Sequence, residues 1–401
     1  MNILLGLNSK IVTLLRIIKR IIKLLISFPL GLIIRSLGFR VLPVSSTRIG
    51  HLICETDCLM KEVALERIKP RKWLIFYDRS TISNLAYLEL LPDYFFPVAT
   101  NKFCLKIIQE LLYTKLLRTD VYQYVTAIHA SASIYTIQAD WGDRGATIYC
   151  PEKWIEAKNQ VLECHGILRG QPYVCIHARE SAYSPTDEYV HYKRNINISS
   201  YNLAVEHLIS CGYAVIRMGD TKMTPLGQEL SEVFDYARSS EQSPWLDLAI
   251  SAECSFFLGS ASGAYTMANV FCRPVVCVGM SLPFNFSPSG YSSDIGIPKL
   301  FREKSSGQLL SIKDIFGLGL SETRYAEDID RKGYELVENT SEEILDVVKE
   351  MVDRLNGNWV ESAEDNQLQS ILRSYFGPGS YSYGAKARCG TSFLRKYRFL
   401  L

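Results

Sequence analysis

Four short stretches carry residue types whose chemistry could be joined in one site. The first is His177-Ala-Arg179-Glu180, which begins where the apolar run Tyr173-Val-Cys-Ile176 ends. A planar guanidinium at such a position takes two phosphate oxygens at once, so Arg179 suits a diphosphate, with His177 beside it. If charge builds on that diphosphate as it leaves, the arginine stabilises the transition state more than the ground state. The second stretch, Arg217-Met-Gly219-Asp220, closes the run Gly212 to Ile216. Here Arg217 reads as a second phosphate contact, Gly219 as a turn residue, and Asp220 as a ribose or loop-fixing carboxylate. The third, Gly259-Ser260-Ala-Ser262-Gly263, follows Cys254 to Leu258. Glycine lets backbone approach a ligand and the first amides of a helix attract an anion, while Ser260 and Ser262 add hydroxyl donors or cap the helix. The fourth is Arg48-Ile-Gly50-His51, in which His51 is a candidate base for an acceptor hydroxyl and Glu180 its alternative. Plain structural roles compete at each point: a loop arginine, a strand-end turn, a capped turn, a packed histidine.

Other chemistries lack their residues. No G-x-x-x-x-G-K-[ST], G-x-G-x-x-G or G-x-S-x-G pattern occurs, and Gly259-x-x-Ser262-Gly263 has the wrong spacing for a nucleophile elbow. The six histidines are dispersed, no C-x-x-C is present, and no D-x-D stands at a strand end, so no metal site is expected.

These groups can meet only if the apolar runs are parallel strands that deliver polar loops at their carboxyl ends. The pattern predicts strand 173–177, a polar loop, helix 200–210, strand 213–218, helix 222–230 and a short strand around Phe234. Helix 245–253, strand 254–258, helix 263–271, strand 274–279, a loop over 281–298 and helix 341–355 follow. Upstream, strands are expected at 39–44 and 73–77, with helices from His51 to Glu66 and over 81–90, 103–118 and 151–168. Strand and helix alternate throughout, which argues for an α/β layer structure, and 401 residues suggest two domains.

Net charge is +2, which argues against a nucleic-acid partner. Residues 1–50 hold eight Lys or Arg and no Asp or Glu, leaving the other 351 residues with 36 basic and 42 acidic side chains. Within 3–28, basic and hydroxyl residues fall on one helical face and Ile and Leu on the other. The longest uncharged run there, Leu24 to Ile34, is 11 residues, against ~20 for a spanning helix. An amphipathic helix lying on an anionic membrane surface is therefore expected, with packing onto the protein itself as the alternative. Eleven scattered cysteines, several in strand-like runs, read as buried thiols in a reducing compartment.

Taken together, Arg48-Ile-Gly-His-Leu52, His177-x-Arg-Glu-Ser-x-Tyr183, Tyr192-x-Arg-Asn195, Val215 to Asp220, Asp235-Tyr-Ala237 and Gly259-Ser-x-Ser-Gly263 resemble a group of bacterial glycosyltransferases from surface-polysaccharide gene clusters. More distantly, His177-x-Arg179 is similar to the His-x-Arg of GDP-fucose-using fucosyltransferases, although Glu180 departs from their pattern. The resemblance implies a GT-B fold of two Rossmann-like domains facing a cleft, with no catalytic metal or cofactor beyond the donor. The expected layout is a membrane-surface helix (1–38), an acceptor domain (39–168), a nucleotide-sugar domain (169–358), and a tail (359–401) packing back on the N-terminal domain. The expected activity is inverting sugar transfer from a nucleotide-diphosphate donor to a surface-glycan acceptor, free or lipid-linked, on the inner face of the cell membrane. Arg179, Arg217 and 259–263 would hold the diphosphate. A non-catalytic glycan- or nucleotide-binding scaffold and a sugar-nucleotide epimerase are the rival readings.

Overall fold

The computed structural model describes residues 14–18, 21–22, 25–26, 28–29, 31–112, 131–181, 188–280, 290–321, 323, 326–378 and 382–401. The chain divides into two compact units, Met1–Gln123 and Tyr124–Leu401. The boundary falls well before the expected 168. The reason is that α3 and α4, introduced below, bury Tyr135 and Leu162 in the core of the second unit.

In the first unit, β1 (Phe39–Val41), β2 (Lys72–Asp78) and β3 (Phe95–Thr100) form a parallel sheet in the order β1-β2-β3. Between β1 and β2 runs α1 (Ile49–Ala64), and α2 (Lys102–Leu112) follows β3. Helix α1 is buried along most of its length and carries an internal ion pair, Lys61 Nζ to Asp57 Oδ2 at 2.5 Å. Strand β2 buries Trp73, Ile75 and Tyr77 on one face, as the period of two requires. The expected helix over 81–90 is only a 3₁₀ turn, Ala86–Leu90. The part of the helix expected beyond residue 112 lies outside the described residues.

The described parts of 14–18, 21–22, 25–26, 28–29 and 31–36 are helical, and the rest of the expected amphipathic helix lies outside the described residues. Among the described residues no helix is long and apolar enough to cross a membrane.

The second unit begins with α3 (Ser131–Trp141) and α4 (Glu152–Cys164) and is built on one parallel sheet. Its strands are β4 (Tyr173–His177), β5 (Ala214–Arg217), β6 (Phe256–Ser260), β7 (Val275–Met280), β8 (Ile295–Pro298) and, after the antiparallel pair β9 (Leu300–Glu303) and β10 (Tyr334–Val337), β11 (Arg388–Cys389). The order is β11-β8-β7-β6-β4-β5, every pair parallel. A single parallel bridge, Ile216 to Phe234, extends the far edge of β5. With Phe234 counted as a vestigial strand, the first six positions read 3-2-1-4-5-6, the doubly wound order of Rossmann folds. Every residue of β4, β6, β7 and β8 is buried, which fits a sheet covered on both faces. Helix α4 packs on α6 (Pro244–Glu253), and α5 (Asn202–Ser210) packs on α8 (Ser341–Leu355). Helix α8 opens on a capping box formed by Thr340 and Glu343.

Several expectations are corrected. No α-helix spans 222–230, because Pro225 and Gly227 break it and leave a 3₁₀ turn at Gln228–Leu230. Strand β8 lies inside the expected loop 281–298, its four residues masked by the Pro- and Gly-rich neighbourhood; 281–289 are outside the described residues. The helix expected at 263–271 is the single turn α7 (Thr266–Asn269). The tail, expected to return to the N-terminal domain, instead builds the second unit. It supplies β11 beside β8, α9 (Ala363–Ser374) and α10 (Thr391–Lys396), and buries Phe393 and Leu394 in the core that holds Val347 of α8.

Candidate functional site

The strand order reverses between β4 and β6, and there the two carboxyl ends lie side by side, His177 in register with Gly259. In open α/β sheets this is the point where a crevice opens to receive a ligand. Hydrogen bonds join the two ends. The Arg179 backbone N–H donates to Ser260 Oγ at 2.8 Å, and Ser262 Oγ lies 3.3 Å from His177 Nδ1. Ser262 Oγ also accepts from the Ala264 N–H at 3.2 Å, fixing the turn into α7. The next turn is held by Gly263, whose carbonyl accepts from Thr266 N–H at 3.2 Å and from Thr266 Oγ1 at 2.6 Å.

Arg179 is 5% exposed, and its guanidinium is aligned by a loop that returns to it. Nη1 donates to Asn195 Oδ1 and, at 3.3 Å, to Glu188 Oε2; Nη2 reaches the same Glu188 oxygen at 3.4 Å. Asn195 Nδ2 in turn donates to Glu188 Oε1. One anionic oxygen thus sits between both Nη groups of the fork, the arrangement a phosphate oxygen would adopt. Behind Asn195 stands Lys299, 2% exposed, whose Nζ donates to the Asn195 carbonyl at 2.9 Å and to Glu338 Oε1 at 2.6 Å. Burial lowers the Lys299 pKa. Sequence reading missed Lys299 and Glu188; the only signal was the Pro298-Lys299 step at the end of a strand hidden in a loop-like stretch.

His177 is driven down to about 4 by burial, then by the charges of Arg217 and Arg179. It is neutral at pH 7 and can exchange a hydrogen bond with Ser262 without adding charge to the crevice.

Arg217 is placed differently from the expectation of a phosphate contact. It is fully buried, and Nη2 donates to Glu180 Oε1 at 2.9 Å. Nη1 donates to the Thr224 carbonyl at 2.7 Å and to Asp235 Oδ2 at 3.4 Å. Glu180, expected as an alternative base, is occupied on both oxygens: Oε2 accepts from Thr224 N–H and Oγ1, each at 2.8 Å. Burial raises the Asp235 pKa, with Arg217 acting against it. Asp220 makes a local turn, accepting from Lys222 N–H at 2.9 Å. Gly219 has φ +151°, and a Cβ there would lie 2.2 Å from Met223 Sδ, so its smallness serves packing. Gly259 answers to the same need, since a Cβ would meet the Phe257 ring at 2.9 Å.

His51 lies in the first turn of α1 rather than at the end of a strand, and belongs to the first unit. The Asp235-Tyr-Ala237 stretch serves structure: Tyr236 is fully buried and its hydroxyl donates to Asp247 Oδ1 at 2.9 Å.

No family model matches the chain, and no curated protein matches it by sequence. Among solved structures it is similar to a glycosyltransferase family 9 protein from Veillonella parvula, at 13% identity and TM-score 0.43, over 71% of this chain and 88% of the other. It is similar to the E. coli ADP-heptose lps heptosyltransferase II, at 14% identity and TM-score 0.42, over 65% and 90%. A third is the dodecameric iron-containing glycosyltransferase TibC of enterotoxigenic E. coli, at 14% identity and TM-score 0.36, over 63% and 60%. Likeness of this degree carries no assignment of activity, which rests on the residues described above.

Proposed function

We propose that the chain is a GT-B glycosyltransferase that moves a sugar, with inversion, from a nucleoside-diphosphate donor to a surface-glycan acceptor. The observation that carries this reading is the Arg179 fork. It is a buried guanidinium at the switch point of a 3-2-1-4-5-6 sheet, held by Asn195 and already holding one anionic oxygen. The donor's diphosphate would replace the Glu188 carboxylate on that fork, with the Ser260–Ser262 turn along its flank. As the bond between the anomeric carbon and the diphosphate oxygen breaks, the electron pair leaves with the diphosphate and its charge is met by Arg179. The acceptor oxygen forms the new bond and gives up its proton to a base. With Glu180 committed to Arg217 and Thr224, the base we assign is His51. Glu180 and Arg217 then act as positioning residues for the ends of β4 and β5.

The described N-terminal helical residues fit attachment to an anionic membrane face, where a lipid-linked acceptor would be met. Leu14, Ile18, Ile21, Ile22, Leu25 and Ile26 are all between 43% and 69% exposed. Partition into the headgroup region of the inner leaflet would bury them.

The test is a thermal-shift screen of the full chain against ADP, GDP, UDP, CDP and dTDP. A ligand at 100 times its Kd adds ~2.7 kcal/mol of stability. At least one should raise the melting temperature, and Arg179→Ala should abolish the rise. A screen with no response, or a response unchanged in Arg179→Ala, would overturn the donor site. Slow hydrolysis of the matching sugar nucleotide, yielding free sugar and nucleoside diphosphate, is the activity expected without acceptor.

A further inference from the structure

Among the described residues, the two faces of the sheet in the first unit are covered unequally. Trp73, Ile75 and Tyr77 of β2 are buried on one face. On the other, Leu74 and Phe76 stay half-buried beside Val41 of β1, and the residues packed on Val41 include Ile34 and Ile108. Ile34 belongs to the helical segment 31–36 and Ile108 to α2, so both elements cover the same sheet face, and cover it thinly.

Each element also turns apolar side chains outward. Leu32, Ile33 and Leu37 are 51%, 57% and 63% exposed, and Phe103 and Ile107 of α2 are 73% and 43% exposed. Helix α2 begins where Asn101 Oδ1 accepts from the Cys104 N–H at 2.8 Å, which fixes its phase. At roughly 100° per residue, Leu105 and Ile108 point to the sheet, Phe103 and Ile107 stack on the outer side, and Lys102 and Lys106 edge them. Leu105 is 7% exposed, whereas both lysines are exposed, as is Arg35 beside Leu32 and Ile33.

We infer that α2 is a second membrane-contact element, in which Phe103 and Ile107 enter the interface of an anionic bilayer while Lys102 and Lys106, with Arg35 of the neighbouring segment, meet its headgroups. The inference rests on the membrane reading of residues 1–38 and adds to it a surface distant in sequence. Charge selects the occupant. Residues 1–50 hold eight basic and no acidic side chains, and Lys102 and Lys106 in the first turns of α2 are both exposed. Anionic lipid neutralises these cations, whereas a second copy of the chain would have to bring acidic side chains opposite them. Lysine stems lie along apolar surface with the ammonium raised to the headgroups, as exposed Lys102 and Lys106 can.

The test measures sedimentation of the full chain with vesicles of phosphatidylglycerol and phosphatidylcholine, and with phosphatidylcholine alone. Wild type should bind the anionic vesicles. Phe103→Ser/Ile107→Ser should bind them at least roughly tenfold more weakly. Lys102→Glu/Lys106→Glu should lose roughly fivefold or more per charge and show a shallower salt dependence. All four side chains are exposed, so both variants should melt with the wild type; should the serine variant misfold, the charge variant decides. Wild-type binding retained by both variants would overturn the role of α2 and leave the N-terminal reading intact. No wild-type binding would overturn both. A wild-type dimer that Phe103→Ser/Ile107→Ser converts to monomer would overturn the lipid assignment and make this face a contact between copies.

Discussion

Arg179 follows β4, Arg217 ends the adjacent β5, and both are buried, yet they differ in what surrounds them. Arg217 faces two carboxylates, Glu180 and Asp235, and a backbone carbonyl. Its two Nη groups are committed to these partners, so a diphosphate arriving there would have to displace two carboxylates. Among the described residues, the Arg179 fork meets the carboxylate of Glu188 and the neutral amide of Asn195. Exchange of Glu188 for a diphosphate keeps that guanidinium paired throughout. A buried arginine at a strand end therefore suits a ligand where its partner can be exchanged.

The comparison breaks most forcefully at Arg217. Arg217→Ala leaves the half-buried Glu180 and Asp235 without their cation, and since removal of one member of a fully buried pair costs about 3–5 kcal/mol, a loss of about 3 kcal/mol is expected. Chemical denaturation should show a loss of that size. A loss in donor binding with normal stability would mean that Arg217, too, faces the ligand.

Arg179→Ala should do the reverse, with nucleoside-diphosphate binding weakened by about 1.5–3 kcal/mol in titration calorimetry and transfer abolished. Arg179→Lys should restore little, because one ammonium cannot present two parallel donors. If lysine restores full affinity, the fork geometry is irrelevant and Arg179 acts as a simple charge.

Glu188→Gln sharpens the difference with a smaller effect. Glutamine keeps the size and a hydrogen-bonding oxygen but removes the charge that competes with the donor. Nucleoside-diphosphate affinity should rise by roughly three- to tenfold, about 0.7–1.4 kcal/mol. A fall would show that Glu188 supports the fork in the bound state instead of yielding it.

Strands β4 and β7 could be read from the sequence because the short apolar runs Tyr173 to Ile176 and Val275 to Val278 each open after a proline, as buried parallel strands do. What local pattern hides is pairing. Nothing within Arg217-Met-Gly-Asp220 announces that Glu180 lies 2.9 Å away, since that contact arises only when β4 and β5 align. Short elements suffered as well. Strand β8, Ile-Gly-Ile-Pro, reads as loop among its Pro and Gly neighbours, and β11 has only two residues. The tail was misassigned because an amphipathic helix states which face it buries but not against what.

The smallest effect concerns pH, and it turns on two buried groups with opposite signs. His177 titrates near 4 in the folded chain, below its ordinary 6.5, so the unfolded chain binds the extra proton and stability falls as pH drops through that window. Asp247, raised by burial from 3.8 to about 6 although the Tyr236 hydroxyl opposes the rise, is the reverse. There the folded chain takes up the proton first, so stability rises as pH drops from 7 towards 5. Between pH 7 and 5.5 the His177 contribution is a loss and the Asp247 contribution a gain, so the two oppose one another. Denaturant midpoints of wild type at the two pH values should therefore differ little. His177→Gln removes the loss and should leave a chain slightly more stable at pH 5.5 than at 7, relative to its own baseline. Asp247→Asn removes the gain and should make the acid side steeper. The same acid dependence in both variants as in wild type would place the titrating groups elsewhere, and with them the neutral state assigned to His177 at the mouth of the crevice.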